Sequence, residues 1–371
     1  VKYTGTFTAP TAVSTPGSNT ELLIASGASP DLDVTGTYTF TKTGSVTPLS
    51  TSPFSTVITE GKGGLVWTKN RLRSDFHVLV DSRDLDEYLS TNLTNSSTTD
   101  TGINMSFNAD GYSISNAYDS MNKSAETYAS WTFAKQEKFF DVVTYTGNGT
   151  DNRTVSHNLG SVPGCIIVKC TSEPLDWAVY HRGADATNPS HKVLFLQSPT
   201  SVLDNSSYWS DEPPTSTEFT LGTSTIVNQN AKTYVAYLFA HNDGDGIFGE
   251  NGDQDIIKCG SYSGSNQTID LGFEPQFIIV KRTDAEDNWM MFDNMRGWNA
   301  DGDRLGWLMP NRSNAESTLT NGQFELRSDG FFTGSGYTPL NNGSNYIYIA
   351  IRRGPMKTPE SGTEVFATDI T

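Results

Sequence analysis

Basic residues are scarce in this chain: 25 lysines and arginines stand against 42 aspartates and glutamates, a formal net charge of −17 over 371 residues. Nucleic acid is therefore not an expected partner, because phosphate binding depends on clustered cations that release counterions. Charged residues of both signs make up only 18% of the chain and apolar residues 35%, so cores must be thin and loops numerous. No apolar run reaches bilayer length, and no basic segment followed by an apolar one opens the chain. Membrane insertion is not expected. Three cysteines cannot build a disulfide framework, and no C-x-x-C or H-x-x-x-H pair offers zinc ligands. Cys165, Cys170 and Cys259 lie in strand-like apolar runs and read as small buried residues. Walker loops, nucleophile elbows and metal-binding helix motifs are also missing. No enzyme activity is expected, and His157, His181 and His241, which do not recur between related segments, read as turn or surface residues.

What is present is β-structure. Short β-branched and aromatic runs such as CIIVK, FIIVK, VLFLQ, YVAYLFA and YIYIAI are bounded by Gly, Asn, Asp, Ser or Pro. Continuous apolar runs indicate strands covered on both faces. Asp-Gly pairs in ADGYSI at 109–114 and SDGFFTG at 328–334 mark hairpin turns. Sustained helical periodicity is absent, and DSRDLDEYLS at 81–90 is the one place for a short helix. The expected class is all-β, with tandem β-sandwich, jelly-roll-like modules joined by short linkers.

The modules are copies of one another. LGSVPGCIIVKCTSEPLDWAVYHRG at 159–183 recurs as LGFEPQFIIVKRTDAEDNWMMFDNMRG at 271–297 and, more faintly, as GKGGLVWTKNRLRSDFHVLVDSRD at 61–84. Each copy is followed by a Tyr-rich run, and Lys169 to Tyr234 and Lys281 to Tyr346 are both 65 residues apart. Lys69 to Tyr128 is 59, which marks the first copy as the diverged one. Equal spacing in the second and third copies predicts one shared strand order. The boundaries expected are a separate or incomplete segment at 1–60, repeats at 61–138 and 139–254, and a third repeat with a C-terminal tail at 255–371. Val1 opens directly into VKYTGTFTA, as in a processed chain or a piece of a longer one.

TYVAYLFAHNDGDGIFGENGDQDIIKCGSYSG, LGFEPQFIIVKR, FDNMRG and FFDVVTYTGNGT resemble repeat modules of predicted structural or tail-fibre proteins of marine and cyanobacterial tailed phages. The resemblance covers roughly residues 61–354, and residues 19–45 are similar to the opening of laminin-G or concanavalin-like lectin domains. It implies a non-enzymatic virion protein, a tail fibre or similar appendage, virion-borne or extracellular, that contributes to host-surface attachment. The partners implied are copies of itself, a trimer first, other virion proteins and a host surface glycan. No catalytic residues come with the resemblance. The alternative is an extracellular carbohydrate-binding adhesin or a glycan depolymerase fragment.

Two stretches carry binding chemistry. Asp243, Asp245, Glu250, Asn251, Asp253 and Asp255 crowd oxygen ligands into a Gly-rich segment between the second and third repeats. Calcium, which takes six to eight oxygens on flexible loops, is the expected cation there, although the spacing is not that of an EF-hand. Trp209, Trp298 and Trp307 stand among polar turn residues, a mixture suited to stacking on sugar faces. Arg182-Gly183 and Arg296-Gly297 close equivalent aromatic strands and are expected to serve structure.

Overall fold

In the computed structural model the described residues are 63–353, apart from 101, 109–110, 116–119, 250, 303 and 321–322. The segment 1–60 and its lectin-like stretch 19–45 thus lie outside the described residues.

The first repeat contains β1 (Gly64–Asn70), β2 (Val78–Asp81), β3 (Asp84–Leu89), β4 (Thr98–Thr99), the hairpin β5 (Met105–Asn108) and β6 (Gly111–Ile114), and β7 (Tyr128–Ala134). The second has β8 (Phe140–Thr146), β9 (Arg153–Ser156), β10 (Pro163–Cys170), β11 (Trp177–His181), β12 (Lys192–Phe195), β13 (Leu203–Asp204), β14 (Glu218–Leu221), the short helix α1 (Thr225–Asn228) and β15 (Thr233–Ala240). The third has β16 (Ile257–Ser263), β17 (Gln267–Asp270), β18 (Pro275–Arg282), β19 (Met290–Asp293), β20 (Leu305–Trp307), β21 (Ser317–Leu319), β22 (Phe324–Arg327), β23 (Gly330–Thr333), α2 (Thr338–Asn341) and β24 (Asn345–Arg352). The protein is all-β and sandwich-type, built from antiparallel sheets.

The three main sheets share one order. β8-β15-β10-β11 corresponds to β16-β24-β18-β19, and β7-β1-β2 to the last three strands of each. Register agrees as well: the residue after each repeated lysine pairs with the repeated tyrosine, as Asn70 with Tyr128, Cys170 with Tyr234 and Arg282 with Tyr346. That tyrosine has the same local use each time. Its hydroxyl accepts the backbone N–H of Lys123, Gln229 or Asn342, and in the second and third repeats it also donates to the carbonyl of Thr225 or Thr338, closing the short helix before the strand. The hairpin expected at Asp329-Gly330 forms between β22 and β23. The short helix expected at 81–90 does not: the segment is the turn and strand β3, where side chains alternate in exposure and pair back onto β2.

The repeats are not strung end to end. One apolar cluster draws on all three, with Leu65, Trp67 and Phe133 from the first, Ile167, Tyr237 and Phe239 from the second, and Phe277, Ile279 and Ile349 from the third. Alternate residues turn to the other face of each sheet, as Val66, Val78 and Val80 do in the first repeat and Ile278, Val280 and Phe292 in the third. Both faces of the central strands are therefore covered, which accounts for their unbroken apolar runs.

Hydrogen bonds close the ring in one sense. The N–H of Ser97 donates to the carbonyl of Thr171, that of Val202 to Thr283, and that of Glu316 to Arg71, all at 2.9 Å. A ring nitrogen at the start of β11, or just before β19 and β2, reaches back to the preceding repeat: Trp177 donates to Leu93 at 2.9 Å, Trp289 to Phe195 at 3.0 Å and His77 to Met309 at 3.0 Å. His77 donates from Nε2 because its Nδ1 accepts the Trp67 indole N–H. The first repeat docks on the third as the third docks on the second, so the described residues form a closed three-part ring.

Candidate functional site

The repeated lysines are the first chemical groups to weigh. Lys69, Lys169 and Lys281 are fully buried, and each ammonium donates to backbone carbonyls: Lys69 to Asn70 and Arg73, Lys169 to Thr94 and Leu175, Lys281 to Pro199 and Arg282. Burial lowers all three to about 8. They hold loops: the partners Thr94 and Pro199 belong to the preceding repeat.

The histidines are similarly engaged. His157 and His181 are buried and not at the surface as the sequence suggested, because each lies where backbone groups need both a donor and an acceptor. His181 accepts the Gly183 N–H at Nδ1 and donates from Nε2 to the Tyr348 carbonyl, and His157 links the Leu159 N–H to the Thr215 carbonyl. Burial pushes His77 and His181 down to about 3 and His241 to about 4, so these rings are neutral at pH 7. None of these contacts joins a histidine to a nucleophilic hydroxyl or thiol.

The tryptophans proposed for sugar stacking sit elsewhere. Trp209 is 2% and Trp298 1% exposed. Trp209 donates to the Lys192 carbonyl and lies edge-on to Tyr180, while Trp298 stacks on Phe324 at 5.3 Å. Their faces belong to the sandwich interiors, which corrects that expectation. Trp307 is half-buried against the core of the third repeat.

The acidic loop between β15 and β16 is held by backbone amides and by the ammonium groups of two lysines. Asp255 accepts the backbone N–H of Gly244 and Gly246, Asp245 pairs with Lys138 at 2.9 Å, and Lys258 stands 4.0 Å from both Asp243 and Asp255. Asn251 and Asp253 point to solvent, and Glu250 lies outside the described residues. Among the described residues no three acidic, histidine or cysteine side chains gather as a metal site. Asp243, Asp245 and Asp255 are instead engaged by lysines and backbone amides within the loop.

The Arg-Gly pairs differ in register. Arg182 directly follows His181 at the end of β11, is exposed, and matches Asn294 of the third repeat. Arg296 is buried, donating to Asp293 at 2.6 Å and to Glu316 at 3.1 Å, and Glu316 in turn takes a bidentate pair from Arg71. The Arg296 guanidinium also covers Trp131, whose indole donates to Asp293. A carboxylate held this way by two arginines is pulled below its usual range, although burial opposes the shift. Sequence spacing could not separate the two arginines, because both read as Arg-Gly after an aromatic strand.

Two surface clefts remain. One, of about 510 Å³, lies between the first and third repeats beside Trp131, Arg296 and the exposed Met295. Its charged side chains are already paired, Arg296 with Asp293 and Arg71 with Glu316 beside it. The other, of about 600 Å³, runs between β3 of the first repeat and β8 of the second, with Arg83, Glu87 and several hydroxyl side chains along it. No helix among the described residues is long and apolar enough to cross a membrane.

Fold and grooves together define an all-β protein of three sandwich-type repeats closed on a common core. The chain belongs to the family described as a domain of unknown function (DUF7483), whose model matches residues 36–355. No curated protein and no solved structure matches it.

Proposed function

We propose that this chain is a non-enzymatic component of a phage virion, a tail fibre or similar appendage that contributes to host-surface attachment, working as a homo-oligomer with a trimer first. The observation that carries this reading is the threefold use of one module whose buried polar groups hold the frame. The repeated lysine binds loop carbonyls each time, and His77, Trp177 and Trp289 occupy one position and make one kind of inter-repeat bond. Repetition of a frame supplies a rigid body and several exposed loop sets, which suits many weak contacts better than one reaction centre. The resemblance to phage repeat modules, read from the sequence alone, is what directs the proposal to a virion.

Gold-labelled antibody against the chain, applied to purified virions of the encoding phage, tests the proposal. Label on the tail or its fibres is expected, and virions free of the protein would refute it. A second reading, a carbohydrate-binding adhesin or depolymerase fragment, is favoured by the hydroxyl-lined groove between the first two repeats. Release of reducing ends from host polysaccharide by the purified chain would favour the depolymerase.

A further inference from the structure

Asparagine is chemically labile, most of all before glycine, because its carboxamide carbon lies one five-membered ring away from a backbone nitrogen that no side chain shields. Four such pairs occur here: Asn148-Gly149, Asn251-Gly252, Asn321-Gly322 and Asn342-Gly343. Asn321-Gly322 lies outside the described residues. The fold ties down two of the other three. The Gly149 N–H donates to the Asn228 carbonyl at 2.8 Å, and the Asn148 carboxamide oxygen accepts the N–H of Thr150 at 3.0 Å and its hydroxyl at 2.9 Å. The Gly252 N–H donates to the Gly249 carbonyl at 3.2 Å.

Asn342-Gly343 is held differently. The pair is exposed in the turn between α2 and β24. Among the described residues neither the Gly343 N–H nor the Asn342 carboxamide meets a hydrogen-bonding partner, and nothing stands within 4 Å of the place a Gly343 Cβ would take. In the second repeat the matching turn reads Gln229-Asn230, with the Gln229 N–H on the Tyr234 hydroxyl as the Asn342 N–H is on that of Tyr346. A glutamine there would have to close a larger ring against a residue that carries a side chain. The liability therefore belongs to the third repeat.

We infer that Asn342 is a site of spontaneous modification, passing through a succinimide to aspartate and isoaspartate. The Gly343 nitrogen gives up its proton to base and attacks Asn342 Cγ; an N–C bond forms, the Cγ–Nδ2 bond breaks, and Nδ2 leaves as ammonia. Water then opens the ring at either carbonyl. Closure requires rotation about the Asn342 Cα–C bond away from its ψ of 37°. The Asn342 N–H, held by the Tyr346 hydroxyl at 3.0 Å, lies on the other side of that bond and does not oppose the rotation. Either product adds a negative charge, and isoaspartate also lengthens the main chain by a methylene in the turn that feeds β24. The inference does not rest on the attachment reading.

The full chain, aged in mildly alkaline buffer and sampled by peptide mass mapping and isoaspartyl methyltransferase labelling, tests the site. Modification of Asn342 should run ahead of that of Asn148 by about tenfold or more, the scale of the one or two hydrogen bonds that hold the latter. Asn251 should fall between them. In urea the preference should disappear, because all three pairs are then equally free, and Asn342→Gln should abolish labelling of the turn in the folded chain. An Asn342 that stays intact in the native protein while the unfolded chain is modified, earlier modification of Asn148 or Asn251, or a preference for Asn342 undiminished in urea would overturn the assignment.

Discussion

Replacing Lys169 by methionine keeps an apolar stem in the core and deletes the ammonium that donates to the Leu175 carbonyl at 2.6 Å and the Thr94 carbonyl at 2.9 Å. Thr94 is exposed, so water can take over its carbonyl, whereas Leu175 is half-buried. The orphaned acceptor should cost about 1–3 kcal/mol. Relief of a buried, carboxylate-free charge opposes that loss. The two effects separate with pH. Burial lowers the Lys169 pKa from 10.5 to about 8, so the fold disfavours the charged form. Between pH 8 and 10.5 the unfolded chain binds more protons at this site, and the contribution to stability rises with pH across that window.

At about 1.4 kcal/mol per pH unit, going from pH 7 to pH 9.5 should favour the wild type by about 2 kcal/mol that the variant cannot gain. Urea denaturation of both proteins at the two pH values reads this directly. Tyrosines and thiols also titrate there, but they are common to both chains and cancel in the difference. The deficit of Lys169→Met should therefore grow with pH. A deficit equal at pH 7 and pH 9.5 would refute the buried-ammonium argument, and a shrinking one would reverse its sign.

Other outcomes follow from single contacts. Gly297 has φ of 101°, and an added Cβ would lie 2.4 Å from the Arg304 carbonyl, so Gly297→Ala should lower stability by more than about 1 kcal/mol in the same assay. Trp298→Ala should cost about 3–5 kcal/mol in the same assay as a core truncation. Because Asp245 and Asp255 are already satisfied by Lys138 and backbone amides, calorimetric melting should be indifferent to calcium and to chelator; a clear rise with calcium would restore a cation site. In the wild type, His77, His181 and His241 are lowered, so their contribution should be full above pH 6.5 and fall as pH drops toward about 3, measurable as acid-dependent melting. His181→Asp should reverse its own share, gaining stability as acid protonates a carboxylate that faces the Tyr348 carbonyl.

The frame was largely legible in the sequence because it depends on spacing. Lys169 to Tyr234 and Lys281 to Tyr346 are equally spaced since both pairs bracket one strand pairing, and the shorter interval in the first copy leaves the pairing of Asn70 with Tyr128 unchanged. Ring closure was not legible: the bonds from Ser97 to Thr171 and from Glu316 to Arg71 join backbone atoms, and backbone bonding leaves no residue signature. Aromatic residues misled for a related reason. A tryptophan among polar turn residues reads the same whether its face meets solvent or, as with Trp298, the interior beneath the turn.

The junctions show how three copies can keep one geometry with different chemistry. Tyr237 of the second repeat donates to Asp81 of the first, and Trp131 of the first donates to Asp293 of the third. By register, the remaining pair is Ile349 of the third repeat and His181 of the second. Isoleucine offers no donor, so a carboxylate at 181 would be buried without a partner. Histidine instead donates to the Tyr348 backbone carbonyl at 3.0 Å, and the polarity of the contact is inverted. Read alone, His181 looks like a stray titratable residue because its equivalents are aspartates. Its identity is fixed by the loss of a hydroxyl or indole donor 168 positions away, a coupling visible only once the ring is closed. The same comparison isolates Arg83: Asp81 and its equivalents are tied to a partner at every junction, whereas the position two residues later is constrained by the frame only where Gly183 must close against β16.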